Sequence, residues 1–150
     1  MANTQAVCTS FKVEQWKALH AFSTTVTRGA TTADSFFAAL YLAAATVNAS
    51  TTAYSATNEV TGTGYTAGGI AVTNATAPTS SGTTAFWTPS ASLAYGTITT
   101  GSFDCVLIYN STQSNRAVAA YTFGAQTITA GSFSLSMPAN DSSNALLRCA

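Results

Sequence analysis

Charge is what this chain has least of. Only 7% of its 150 residues are Asp, Glu, Lys or Arg, against about a quarter in an ordinary soluble domain. Five Lys+Arg balance five Asp+Glu, so the formal net charge is zero. A broad electrostatic binder of nucleic acid needs a basic stripe, which this composition does not supply. There is one histidine, His20, and any Ser-His-Asp or Cys-His arrangement would have to use it. The carboxylates Glu14, Asp34, Glu59, Asp104 and Asp141 lie far apart, with no local pair for glycoside hydrolysis. No His/Asp/Glu cluster has metal-ligand spacing, so neither metal nor cofactor is expected.

Other absences bear on address. The cysteines are Cys8, Cys105 and Cys149, an odd number without short spacing, which argues against a disulfide scaffold and a zinc site. Free thiols are expected, with Cys105 buried. Met1-Ala2-Asn3-Thr4-Gln5-Ala6 lacks the basic and apolar regions of a secretory signal, which predicts synthesis in a reducing cytoplasm. On that reading the sequons at Asn48, Asn74, Asn110 and Asn140 are by-products of a Ser/Thr-rich sequence. The longest apolar run, Phe36 to Ala45, is too short to span a bilayer.

What is present is apolar and hydroxylated. Hydrophobic residues make up 47%, enough for a real core. Ser and Thr are about three residues in ten. The length suits one domain, 1–150, divided into an N-terminal arm and helix over about 1–30 and a body over about 31–150. From Ser10 to Phe22, Val13, Trp16 and Leu19 recur every third residue and Ser10 is placed to cap, which predicts a short helix. Its apolar face, with Phe11, Trp16 and Leu19, is the candidate partner-binding surface. His20, at the helix end, is expected to be structural.

After Gly29 the punctuation is that of strands and turns. Strands are expected at 35–42, 69–73, 83–88, 95–99, 103–109, 116–122, 126–129, 132–137 and 144–149. The apolar stretch from Cys105 to Tyr109 suits a strand covered on both faces. So many short strands predict an all-β, jelly-roll-like β-sandwich with a short N-terminal helix. An internal echo, Thr97-Ile98-Thr99-Thr100-Gly101-Ser102-Phe103 against Thr127-Ile128-Thr129-Ala130-Gly131-Ser132-Phe133, predicts two similar hairpins with Gly at positive φ.

The run Gly62-Thr63-Gly64-Tyr65-Thr66-Ala67-Gly68-Gly69 is not a phosphate loop, because Ala67 breaks G-x-G-x-x-G and no Gly-Lys-Ser/Thr follows. It reads as a shaped loop. Asn58 and Glu59 offer side-chain acceptors, Gly62, Gly64, Gly68 and Gly69 permit positive φ, and the Tyr65 ring is the anchor. The aromatics Trp16, Tyr54, Trp87, Tyr95 and Tyr121 suit packing better than a sugar-binding platform.

The block Asn58-Glu59-Val60-Thr61-Gly62-Thr63-Gly64-Tyr65-Thr66-Ala67-Gly68-Gly69, with the Thr52–Thr57 stretch before it, resembles one in small virion proteins of tailed bacteriophages. Ser10-Phe11-Lys12, Leu107-Ile108-Tyr109-Asn110-Ser111, Asn115-Arg116-Ala117-Val118-Ala119 and the stretch from Met137 to Arg148 are similar to that family in order along the chain. The resemblance implies a capsid cement or decoration protein of jelly-roll type, on the phage head surface, with the major capsid protein and further copies of itself as partners. It implies no catalytic residue. The alternative is a tail or fibre-tip module that binds a host glycan.

Overall fold

Residues 103–110, Phe-Asp-Cys-Val-Leu-Ile-Tyr-Asn, combine aromatic and branched apolar side chains with almost no break. The strand they form lies at the centre of the protein. The computed structural model describes residues 3–16, 19–22, 24–25 and 33–149. In chain order its elements are β1 (Ala6–Val7), α1 (Thr9–Trp16), β2 (Phe36–Leu42), β3 (Ile70–Val72), β4 (Thr79–Ser81), β5 (Thr84–Trp87), β6 (Leu93–Ile98), β7 (Phe103–Asn110), β8 (Arg116–Gln126), β9 (Gly131–Leu135) and β10 (Leu147–Cys149).

The chain is nearly all-β, with several antiparallel sheets. The largest has the order β1-β8-β7-β2-β3; two smaller ones have the orders β10-β5-β4 and β6-β9. Antiparallel register pairs Leu40 with Val106 and Ala38 with Ile108 on one face of the large sheet, and Ala39 with Leu107 and Tyr41 with Cys105 on the other. All eight are buried, so β7 is covered on both faces, as its unbroken apolar pattern requires. Burying a residue such as Leu40 contributes about 1.5–3 kcal/mol.

Each face has its own cover. Rings from the small sheets pack on one side: Trp87 lies 6.3 Å from Phe36 and Phe133 lies 4.9 Å from Phe103, centroid to centroid. The irregular segment after β2 covers the other, where Tyr54 stacks on Tyr109 at 4.6 Å and the Tyr41 hydroxyl donates to the Ser55 carbonyl at 2.6 Å. Ala117, Ala119 and Ala120 in β8 are fully buried. Their small side chains let α1 and β1 lie close to that strand.

Several expectations need correction. The helix covers Thr9–Trp16 rather than reaching Phe22. Ser10 lies inside it, its Oγ buried without a hydrogen-bond partner among the described residues, so it is not the cap. The Leu19 amide donates to the Glu14 carbonyl at 3.1 Å, closing the helix before His20. Residues 127–129 form no strand; β8 runs unbroken to Gln126 instead. The echo does not build hairpins. Its copies carry the chain from β6 to β7 and from β8 to β9, in both cases between different sheets. They meet each other, with the Thr100 amide on the Ile128 carbonyl at 2.9 Å and the Ala130 amide on Thr99 Oγ1 at 2.9 Å. Positive φ in the second copy falls on Ala130, at 47°, rather than on Gly131.

The thiols are free, with Cys8 and Cys105 buried and Cys149 exposed. Burial pushes Cys8 up to about 11, with the Glu14 charge adding to it, and pushes Cys105 up to about 12. Neither is a thiolate near neutrality, so neither is a nucleophile. A thiol reagent at pH 7.5 is expected to label Cys149 alone in native protein and all three cysteines after denaturation; rapid native labelling of Cys105 would contradict the packing around β7.

Candidate functional site

The glycine-rich segment is organised by one carboxylate. Asn58–Val60 runs beside β2, where the Leu42 amide donates to the Asn58 carbonyl at 3.0 Å and the Val60 amide to the Leu40 carbonyl at 2.9 Å. This places the Glu59 side chain inside, with the residue 4% exposed. Three donors converge on it: the Tyr54 hydroxyl at 2.6 Å, the Tyr65 hydroxyl at 2.8 Å and the Gly68 amide at 2.7 Å. Burial first, and the neighbouring carboxylate second, push both phenols far above their ordinary range. They therefore stay protonated and donate. Tyr65 also accepts from the Leu40 amide at 2.9 Å, so its hydroxyl, as well as its ring, anchors the loop.

Asn58 contributes through its backbone, with φ at 59°; Gly62, Gly64, Gly68 and Gly69 also have positive φ. At Gly64 an added Cβ would lie 2.2 Å from the Thr97 carbonyl oxygen, and at Gly69 1.8 Å from that of Ala38. Only glycine allows such close approach of two backbones. The loop thus rests on β6 at one end and β2 at the other, and the Thr99 amide donates to the Thr63 carbonyl at 2.9 Å. It fastens a small sheet to the large one.

A second polar network was not legible in the sequence, because its members come from positions 14, 20, 34, 110, 113 and 116. Glu14 Oε2 lies 2.9 Å from His20 Nε2, and Arg116 donates to Glu14 Oε1. Asn110 Nδ2 donates to Asp34 Oδ2 at 2.9 Å and lies 3.2 Å from His20 Nδ1. Asp34 also accepts from the Ala21 amide at 3.0 Å and from Gln113 Nε2 at 3.2 Å. These contacts form a consistent chain when His20 is neutral, with its proton on Nε2 donating to Glu14 and its Nδ1 accepting from Asn110. Burial holds the imidazole below its ordinary value, against Glu14 and Asp34, which raise it. Burial raises Glu14, but the His20 and Arg116 hydrogen bonds outweigh it and the net shift is downward.

Acid and imidazole in contact suggest acid–base chemistry, but the His20 side chain is 0% exposed. Four clefts of the described residues are lined by none of Glu14, His20, Asp34 or Asn110. The network instead ties the N-terminal segment to the ends of β7 and β8.

The expected contact residues separate. Phe11 is 1% exposed and sits edge-on to His20 and Phe22, at 4.8 and 5.7 Å; it belongs to the core and not to a docking face. Leu19 is half-buried, and the Trp16 side chain lies outside the described residues. Trp87 and Tyr95 are buried, and Tyr54 and Tyr121 are half-buried with their hydroxyls bonded inside. These four do not assemble a sugar-stacking platform. Comparison with protein-family models, curated proteins and solved structures finds no match to this chain.

Two predictions follow from these networks. Gly64→Ala and Glu59→Gln are each expected to lower stability by about 1–3 kcal/mol. The first forces a Cβ into a carbonyl at positive φ, and the second turns an amide NH2 toward donors. Unchanged denaturation midpoints in both variants would remove the loop from the stabilising framework. Acidification has a definite sign. His20 titrates lower when folded than when unfolded, so the unfolded chain binds more protons and stability falls as pH drops through 6.5. Glu14 adds a further loss below 4.5. Urea titrations at pH 7.5, 6 and 5 are expected to show the first loss, and His20→Gln to abolish it.

Proposed function

We propose that this protein is a structural component of a tailed-phage virion, a capsid cement or decoration protein with a jelly-roll-like β-sandwich body. In this reading it is made in the host cytoplasm and sits on the head surface. There it bridges neighbouring major capsid subunits as a homo-oligomer, a trimer at three-fold junctions of the lattice. The phage assignment rests on the resemblance of the Asn58–Gly69 block and the segments in order around it.

One observation carries the structural role. All five carboxylates and the single histidine are engaged in hydrogen bonds within the chain, Asp141 in an exposed turn and the others partly or fully buried. Glu59 holds the glycine loop, and Glu14, His20 and Asp34 hold the N-terminal segment. Asp104 accepts from Asn3 at 2.6 Å, and Asp141 accepts from the Ser143 and Asn144 amides at 2.8 and 2.7 Å. The groups with most chemical capacity are spent on internal order. Much of the exterior is hydroxyl and amide, which packs against neighbours with little charge to desolvate. Many modest interfaces on one shell then add up through multivalency.

Heads assembled with and without the protein provide the test. Those lacking it are expected to form but to burst at lower temperature or milder osmotic shock, and complete virions to hold it in hundreds of copies. A handful of copies confined to the tail, or equal robustness of stripped heads, would overturn the capsid role in favour of the tail module.

A further inference from the structure

One cleft has a volume of about 540 Å³, within the size range of small-molecule sites. It is enclosed by β1, β5, β8, β10 and the turn before β10. None of the residues discussed so far as holding the loop or the N-terminal segment lines it. We propose that this cleft binds a sugar residue bearing a carboxylate, such as a uronic or sialic acid, with Arg148 as the carboxylate ligand. The proposal goes beyond the capsid reading and does not depend on it.

The chemistry follows from the walls. Arg148 is exposed in β10 and forms no ion pair among the described residues; its Nη1 donates to the Ser143 carbonyl. A guanidinium carries five N–H donors, so most of the fork faces the cleft or solvent, and a carboxylate is the anion that matches it with two parallel bonds. Around it stand neutral polar groups. The side chains of Gln5, Thr84 and Ser142 make no hydrogen bond among the described residues. Asn144 holds Asp141 through its Nδ2, which leaves its Oδ1 as an acceptor. Hydroxyls and amides that both donate and accept suit vicinal sugar hydroxyls. The Tyr121 ring supplies an apolar wall for the C–H face of a sugar. It is held in place because its hydroxyl donates to the Leu146 carbonyl at 2.7 Å.

Apart from Arg148 the lining side chains are uncharged, and the nearby Asp141 carboxylate, which feels the Arg148 charge, is held by Asn144 and the Ser143 amide. The setting favours a sugar over a peptide strand. The adjacent edge, β1, is two residues long and offers too few backbone groups to pair an added strand.

The test is an amide chemical-shift titration of the whole protein with D-glucuronate and N-acetylneuraminate, against D-glucose and acetyl-dialanine with a free carboxylate. An acidic sugar is expected to shift amides of residues 5–7, 84 and 142–148 with a dissociation constant on the order of millimolar, and glucose to bind at least about tenfold more weakly. Arg148→Gln is expected to reduce binding about tenfold or more while leaving the unfolding midpoint unchanged. Gln5→Ala, on an exposed side chain, checks the same cleft independently with a loss of a few-fold. The proposal fails if no acidic sugar perturbs this cluster, if glucose binds equally, if the peptide binds more tightly than the sugars, or if Arg148→Gln folds and binds as before.

Discussion

A carboxylate removed from water must be given donors, or its burial opposes folding. Glu59 meets that requirement with two phenols and one backbone amide, drawn from positions 54, 65 and 68. The consequence reaches well beyond the residue itself. To deliver the Gly68 amide the chain must turn back on itself, and that turn requires positive φ at several residues. To deliver the Tyr65 hydroxyl the loop must lie over β2, where it also takes up the Leu40 amide. The close backbone contacts at Gly64 and Gly69 follow from the same path.

The second network obeys the same rule at the opposite end of β2. Asp34 and Glu14 are 4% and 7% exposed, and each has more than one donor. The donors belong to different strands and to the N-terminal segment, so satisfying the charges fixes how those pieces meet. His20 works here as a neutral linker, donating on one side and accepting on the other. Its protonation would set an N–H against the Asn110 amide, which is why burial and acid sensitivity are coupled at this place.

Together the networks explain how a protein with so little charge holds an irregular set of sheets in register. Charged groups are few, and the buried ones act as local organisers. Elsewhere the exterior relies on hydroxyls and amides for its contact with water. A body of this kind is suited to being packed among neighbours, and the cleft beside Arg148 is the place where a cation and free polar side chains converge.

Composition and spacing alone determined a good deal. The strand at β7 was legible because an unbroken apolar run has to be covered on both sides, and the glycine loop because so many glycines in twelve residues require unusual backbone. The role of Glu59 as an acceptor was legible from its place in that block; the identity of two of its donors as tyrosine hydroxyls was not. Two very short strands escaped notice: β4 is Thr-Ser-Ser, and β1 is two residues against the β8 edge. Neither carries a period that a sequence can display. The paired Thr-Ile-Thr segments look like hairpins, because the local signal of β-branched residues before a glycine is the same for a tight turn and for a crossing between sheets. Only tertiary structure decided between them, since strand partners are chosen by packing across the sheet and not by the turn. The Glu14–His20–Asn110–Asp34 network was likewise beyond reach. Its residues are up to 96 positions apart, and hydrogen-bond partners at that separation are set by how β2, β7 and β8 align.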